Sequence, residues 1–137
     1  MTEHYSEHTF FLNIRKQRYE PSRHFMDFHV AGFAYYDGLE VIEELKLGKR
    51  VNLVIEPDNP HDPEAVAIYY QGTKLGYVPQ GKNSLLSTFL YFGHENLFEA
   101  RIQTVNLENH PERQFRVVVK VRDMRNPSQQ EPTQENE

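Results

Sequence analysis

The sequence predicts a mainly β domain, folded as a compact six-stranded barrel or a strongly bent sheet with two short helices. Apolar and polar residues alternate with a period of two through most of the chain, and two short segments carry helical spacing instead. The length of 137 residues suits one domain. With 38% hydrophobic residues, nine Phe and eight Tyr, the chain can build a core, which excludes a wholly disordered protein.

The first predicted strand covers residues 30–36, where apolar side chains continue along an alternating run. Asp37 then suits a helix N-cap, and the apolar residues of the segment 39–45 follow helical spacing. Gly48 is placed to end this helix. The sequence therefore predicts a strand followed at once by a short amphipathic helix.

Three more strands are predicted in the middle of the chain. The segment 50–56 alternates until Pro57, which lacks the amide that a sheet ladder requires. After a loop at 58–63, the strands 65–70 and 74–78 are separated by Gln-Gly-Thr, which is typical of a tight hairpin.

The last part of the domain is predicted as a helix followed by two long strands. Residues 85–90 form one apolar helical face, with Asn83 or Ser84 as the N-cap. Residues 98–103 and 115–121 alternate with charged residues. These two segments are expected to pair across the intervening loop.

The two ends of the chain differ from this body in composition. We expect an N-terminal arm at residues 1–26, whose order the sequence leaves open, a folded domain at 27–122 and a disordered acidic tail at 123–137. From Asn126 onward the tail has no large apolar residue, so it cannot offset its own ordering entropy.

Composition excludes several function classes. The chain has no cysteine, which removes disulfides, thiolate catalysis and cysteine-based zinc sites. No apolar run approaches the roughly 20 residues of a membrane span, and the start of the chain lacks the pattern of a secretory signal, so a cytoplasmic protein without membrane contact is expected. The formal charge of −5 argues against a protein that coats duplex DNA, so nucleic-acid contact would be local.

Catalytic and metal-binding motifs are not evident either. Of the seven histidines, only His4 and His8 are four residues apart, and they lie in the N-terminal arm, where no helix is predicted. No nucleophile elbow or phosphate-binding glycine loop is present. We therefore expect neither a metal nor another cofactor, and a noncatalytic protein.

Three segments of the sequence resemble the HIRAN domain family. They are the run V-A-G-F-A-Y-Y at residues 30–36, the segment V-I-E-P-D-N-P-H-D-P-E-A-V-A-I at 54–68 and the hairpin arm L-G-Y-V-P at 75–79. The resemblance extends over roughly residues 28–121. It implies an OB-like β-barrel, found as an accessory module of Snf-type DNA translocases that remodel stalled replication forks and as short standalone bacterial proteins. Since no motor motifs accompany it here, the chain resembles the standalone kind.

The resemblance also implies a ligand. In the fork-remodelling members the domain captures the 3′ end of single-stranded DNA: aromatic side chains stack on the terminal bases, an aspartate accepts a hydrogen bond from the free 3′-hydroxyl, and basic groups hold the nearby phosphates. Tyr35 and Tyr36 match the paired aromatics of these members, and Asp62 matches the hydroxyl-binding aspartate.

Four positions depart from the pattern of the DNA-binding members. Ala34 replaces an arginine, His61 a tyrosine, Tyr77 a histidine and Gln80 a phosphate-binding lysine. Both basic phosphate contacts are therefore missing. Cations elsewhere in the sequence are candidates to replace them: Lys82, Lys74, Arg101, Arg15 and Arg18.

The site predicted from the resemblance consists of Tyr35, Tyr36, His61, Asp62, Tyr77 and Lys82. Each has a structural interpretation as well: one of two consecutive tyrosines in a strand would face the core, and an aspartate between prolines commonly caps its own turn. The leading hypothesis is a noncatalytic module that binds single-stranded DNA ends.

Two alternatives belong to other classes. One is a protein-interaction module of a DNA repair or processing assembly, suggested by the acidic body and the missing basic contacts. The other is a metal-dependent nuclease that uses Asp58, His61, Asp62 and Glu64, since carboxylates and an imidazole cluster there. The oligomeric state is left open.

Overall fold

An antiparallel sheet of six strands organises residues 21–125, the part of the chain that the computed structural model describes. The strands are β1 (Ser22–His29), β2 (Arg50–Ile55), β3 (Val66–Tyr70), β4 (Thr73–Tyr77), β5 (Phe98–Val105) and β6 (Phe115–Arg122). They lie in the order β1-β6-β5-β2-β3-β4. The mainly β class is confirmed, and the form is that of an open sheet consistent with an OB-like fold, not of a continuous barrel.

The two ends of this sheet meet at one pair of residues. Ala31, two residues beyond the end of β1, forms an isolated antiparallel bridge with Tyr77 at the end of β4. Each amide donates to the carbonyl of the other residue at 2.9 Å. The neighbouring Gly76 has a φ of 154°, and a Cβ at this position would lie 2.4 Å from the carbonyl oxygen of Ala31. Glycine is therefore required for the close approach.

The prediction of a strand over residues 30–36 is wrong. Gly32 adopts the left-handed region at a φ of 75° and starts a 3-10 turn over Phe33–Tyr35, closed by a hydrogen bond of 2.9 Å from the amide of Tyr35 to the carbonyl of Gly32. The strand lies earlier instead, at β1, which pairs with β6 and includes residues that the sequence assigned to the N-terminal arm. A register shift between His24 and Met26 disturbs its alternation.

The other elements are found where the sequence predicts them. The five strands β2 to β6 and the hairpin between β3 and β4 are confirmed. The first predicted helix is a 3-10 helix at Gly38–Glu44, and the second is the α-helix α1 at Ser84–Tyr91, which follows the N-cap Asn83. The Asn83 side chain does not cap this helix.

The core lies against one face of the sheet. Inward residues of β6 and β5 contribute to it, among them Phe115, Val117 and Ile102. Phe33 from the 3-10 turn packs on Phe115 with ring centroids 4.7 Å apart. Truncating a buried phenylalanine of this kind costs about 3–5 kcal/mol. The turn that follows β1 is therefore anchored by its own aromatic side chain, which leaves the next residues at the surface.

The two ends of the described part of the chain lie side by side. The amide of Asp123 donates to the carbonyl of Pro21 at 2.9 Å, which continues the pairing of β1 with β6. The rest of the predicted arm, at 1–20, and the predicted tail from 126 onward lie outside the described residues. Within the described part, no helix is long and apolar enough to cross a membrane.

Candidate functional site

Two tyrosines and a lysine meet on the outer side of the β3–β4 hairpin. The rings of Tyr36 and Tyr77 lie edge to face with centroids 5.5 Å apart. The Lys74 ammonium lies 4.8 Å from the centroid of the Tyr36 ring and 4.4 Å from that of Tyr77. Such cation–π contacts contribute about 0.5–2 kcal/mol. We call these three residues together with Glu56 the tyrosine cluster.

Glu56, the residue after β2, neutralises the charge of this cluster. Its carboxylate accepts from the Lys74 ammonium at 2.9 Å and from the Tyr77 hydroxyl at 2.7 Å. The Lys74 ammonium also donates to the Tyr77 hydroxyl at 2.7 Å. One cation and one anion are thus held in a closed ring of hydrogen bonds.

The pKa values in the cluster follow from burial and from this ring. Burial alone would raise the pKa of Glu56, but the hydrogen bonds from Lys74, Tyr77 and Asn59 outweigh it and hold that pKa below its usual range. Burial would lower the pKa of Lys74, yet the contacts with Tyr77 and Glu56 raise it well above its usual value. Lys74 is therefore a permanent cation and Glu56 a permanent anion at neutral pH.

Asn59 connects the cluster to the loop that carries His61 and Asp62. Its amide group donates to Glu56 Oε1 at 3.0 Å, while its carbonyl oxygen accepts from the backbone amides of His61 at 2.8 Å and Asp62 at 3.0 Å. One side chain therefore fixes the position of the loop relative to the tyrosines.

The carboxylate of Asp62 holds the loop and the start of α1 together. Oδ1 accepts from the backbone amide of Glu64 at 2.9 Å, and Oδ2 accepts from the side-chain amide of Asn83 at 2.9 Å. Asn83 is 2% exposed, so this is a hydrogen bond between a surface acid and a nearly buried amide. The turn-forming role that the sequence allowed for Asp62 is present, and Asp62 itself stays half-exposed.

The remaining predicted site residues differ in their surroundings. Tyr35 is 81% exposed and projects from the 3-10 turn, whereas Tyr36 is 37% exposed because it packs on Tyr77. The side chain of His61 is exposed. The ammonium of Lys82 donates to the backbone carbonyl of Asp27 in β1 at 3.0 Å. The structure thus brings Tyr36 and Tyr77 together and places Lys82 on a neighbouring surface.

The candidate replacement cations are also placed. Lys74 lies inside the tyrosine cluster, and Arg101 on β5 pairs with Glu99 and with the Gly48 carbonyl. Arg15 and Arg18 lie outside the described residues. Within residues 21–125 no three His, Cys, Asp or Glu side chains are grouped so that they could hold a metal ion.

Comparison with known proteins identifies the family. The family model of the HIRAN domain matches residues 24–122. The chain belongs to the HIRAN domain family. The matched range begins within β1 and ends with β6, so it contains the described sheet except Ser22 and Arg23. Membership supports a nucleic-acid-binding module as the class of function.

Two solved structures share the fold. A protein from Lactobacillus plantarum is 19% identical with a TM-score of 0.63, covering 73% of this chain and 94% of its own. The HIRAN domain of human HLTF is also 19% identical, with a TM-score of 0.57 over 75% of this chain and 79% of its own. No curated protein matches in sequence.

Sequence reasoning missed Glu56 as a member of the site. A glutamate at the end of an alternating strand is usually a solvated residue, and the bonds that Glu56 makes to Lys74 and Tyr77 join residues 18 and 21 positions apart. The available signal was that Glu56 stands beside Pro57 at the start of the loop, where strand pairing stops and a side chain can turn toward the hairpin.

Proposed function

We propose that this HIRAN domain is a noncatalytic module that binds the end of a single strand of DNA and prefers a free 3′-hydroxyl. The observation that carries the proposal is the edge-to-face pair of Tyr36 and Tyr77, with exposed Tyr35 beside it and the Asp62 loop tied to it through Asn59. Family membership supports the coarser class, and the geometry supports the choice of ligand.

Stacking supplies the affinity in this proposal. An aromatic platform is worth about 1–3 kcal/mol for each base and tolerates any sequence, since every base has a π-face. Tyr35 offers an open ring, and Tyr36 offers a ring already held in place by Tyr77. A ring fixed before binding loses little entropy when the base arrives.

The Asp62 carboxylate supplies the preference for an end. A carboxylate has about four acceptor sites, and Asp62 uses two of them within the protein. The remaining sites can accept from a hydroxyl, while a phosphate at the same place would meet a negative charge. The internal bonds of Asp62 then serve to aim the carboxylate.

The tyrosine cluster adds no net charge to the pocket. Lys74 is paired with Glu56, and the positions of the family's arginine and lysine hold Ala34 and Gln80. Recognition in the pocket therefore depends on stacking and on the hydroxyl more than on attraction of phosphates.

Fluorescence anisotropy with two oligonucleotides of equal sequence, one ending in a 3′-hydroxyl and one in a 3′-phosphate, tests the proposal. We expect tighter binding of the hydroxyl end by the wild type and loss of that preference in Asp62→Asn, which keeps the shape of the side chain. Asp58→Asn, an exposed residue of the same loop, is the control and should leave the preference unchanged. Equal binding of both ends by the wild type would refute end recognition.

One observation favours the protein-interaction alternative. Tyr91 and Phe92, at the end of α1, are 62% and 70% exposed, with their rings edge to face at 5.1 Å. Exposed aromatic pairs are common at protein interfaces. A stoichiometric partner that survives nuclease treatment and high salt, and is lost in Tyr91→Ser with Phe92→Ser, would favour this function.

The nuclease alternative has a direct test as well. Labelled single strands incubated with the protein and magnesium, manganese or zinc should stay intact if the domain only binds. Cleavage lost in His61→Ala would favour catalysis.

A further inference from the structure

The outer faces of β1, β6, β5 and β2 form one continuous surface. Strand register places Arg50 of β2 opposite Arg101 of β5. On the same face, Lys120 of β6 lies between Glu99 of β5 and His24 of β1. Farther along β6, Arg116 lies opposite His29 of β1. We call this surface the basic face. Its charged members are Arg50, Arg101, Arg116, Lys120, Arg122, Asp27 and Glu99.

The charge of the basic face opposes that of the whole protein. Five guanidinium or ammonium groups share it with two carboxylates, a local excess of three positive charges on a chain whose formal charge is −5. His24 and His29 lie on the same face. A concentration of cations on one surface of an acidic protein is the footprint of a polyanion site.

Each carboxylate on this face contacts two basic side chains. Asp27 accepts from Arg116 and contacts His24 Nε2 at 2.7 Å, and Glu99 pairs with Arg101 and, at 3.8 Å, with Arg50. These bonds hold the guanidinium groups in place without cancelling their total charge. The side chains of Arg50, Arg101 and Arg116 remain 42%, 34% and 32% exposed.

Two cations at one end of the face lack an ion pair. Among residues 21–125, Lys120 and Arg122 have no carboxylate within salt-bridge distance, although Arg122 is near enough to help lower the pKa of Glu99. Both side chains are partly exposed. They are therefore available to an external anion at little cost to the fold.

The basic face adjoins the tyrosine cluster through the joint of the sheet. Tyr77 pairs with Ala31, and His29 on the basic face is two residues earlier in the chain, on the order of 7 Å at strand spacing. Lys82, which follows β4, reaches the same strand at the Asp27 carbonyl. A single strand of nucleic acid that extends from the tyrosine cluster toward β1 would therefore pass directly onto the basic face and Lys82.

We infer that the basic face is a phosphate-binding track, which holds the backbone of the same single strand whose end lies in the tyrosine cluster. The identity of the ligand rests on the proposed function. In this chain the tyrosine cluster binds the 3′ end, and the basic face provides the phosphate contacts that Ala34 and Gln80 cannot make.

The test compares the wild type with a double variant that carries both Lys120→Gln and Arg122→Gln. Its control is Lys46→Gln with Lys49→Gln, which removes the same charge from the exposed segment before β2. Binding of a 4-nucleotide and a 20-nucleotide strand, each with a 3′-hydroxyl, is measured across a series of salt concentrations.

We expect the double variant to bind the long strand roughly tenfold more weakly at low salt and to lower the slope of log K against log salt by about 1.4, since each phosphate contact on a single strand contributes about 0.7. The short strand and the preference for a 3′-hydroxyl should be unchanged. The control should match the wild type in all measurements.

The outcomes separate this inference from the proposed function. An unchanged slope for the long strand in the double variant overturns the track, even if end preference is present, and leaves the face to an acidic protein segment. If the wild type shows no end preference but the double variant still lowers the slope, the track stands and end recognition falls.

Discussion

The tyrosine cluster and the basic face treat charge in opposite ways. In the cluster, Lys74 and Glu56 neutralise each other inside a ring of short hydrogen bonds, and the accessible surface is aromatic. On the basic face the carboxylates are too few for the cations, and Lys120 makes no ion pair with the described residues. In the proposed function, the first region selects the ligand by shape and the second attracts it by charge.

This difference teaches how an acidic domain can bind an acidic polymer. Phosphate contacts position a nucleic acid without selecting it, whereas contacts with bases or ends carry the selection. Placing the two tasks on separate surfaces lets a protein of net charge −5 keep a weakly charged pocket and still gain affinity from a local excess of cations.

Separating the two regions at their joint should produce the largest effect. Gly76→Val places a branched side chain against the Ala31 carbonyl at a backbone conformation that valine rarely adopts. We expect a loss of roughly 2–4 kcal/mol in the free energy of unfolding, measured by urea denaturation. Gly81→Ala, where a Cβ meets nothing within 4 Å, is the control and should change stability little. Equal stability of the two variants would show that the joint is not needed.

Removing an aromatic ring from the cluster should affect binding alone. Tyr36→Ala loses a platform worth about 1–3 kcal/mol, so we expect binding of a short 3′-hydroxyl strand to weaken by about 5- to 150-fold while the salt slope for a long strand stays the same. Tyr91→Ala, which removes an exposed tyrosine on α1, should bind as the wild type does. A parallel loss in both variants would mean that Tyr36 contributes no specific contact.

The smallest expected effect is that of acidification, which should lower the free energy of unfolding in two separate pH windows, one for each region. Burial, Arg116 and Arg113 hold the pKa of His29 on the basic face below its ordinary 6.5. The unfolded chain therefore takes up this proton first, and stability decreases as the pH falls below 6.5 until it passes the folded pKa.

The cluster responds at lower pH. The pKa of Glu56 is held below 4.5, so its contribution to stability is complete above pH 4.5 and is lost as the pH falls through the folded pKa. Urea denaturation between pH 7.5 and about 3 should show both declines. His29→Gln should remove the upper decline, and Glu56→Gln should reduce the lower one. A pH profile of His29→Gln identical to the wild type would contradict the assignment.

Most of the sheet could be predicted because its strands bury one face and expose the other. In β6 the inward residues Phe115, Val117 and Val119 are buried, while Arg116 and Lys120 between them are partly exposed; only Val118 on the outer face departs from this alternation by being buried. The β3–β4 hairpin could be predicted equally well, since its turn residues are typical of a two-residue connection.

The N-terminal strand could not be predicted for two physical reasons. In β1 the register shift between His24 and Met26 places Phe25 and Met26 next to each other at the edge of the core, which breaks a period of two. Residues 30–36 do alternate, but Gly32 turns the chain so that Phe33 reaches the core from a 3-10 turn. Tertiary packing overrides local pattern in both places.

The candidate site shows the same limit. The family pattern led to Tyr36, Tyr77 and Asp62, which have contacts in the structure that fit a binding site or its support. It could not place Lys82, because the partner of a lysine depends on which groups the fold brings within its reach, here the Asp27 carbonyl in β1. Glu56 was missed since its role exists only when the hairpin folds over it.

The bridge between Ala31 and Tyr77 also bears on how the protein avoids self-association. β1 and β4 are the outermost strands of the sheet, and unpaired outer strands are templates on which a second chain can add. The bridge joins the chain just beyond β1 to the end of β4, so breaking its two hydrogen bonds would free the ends of both outer strands together. Exchange of the segment before β2 between two molecules would require this bridge and the whole β1–β6 pairing to open, so both contacts oppose domain swapping.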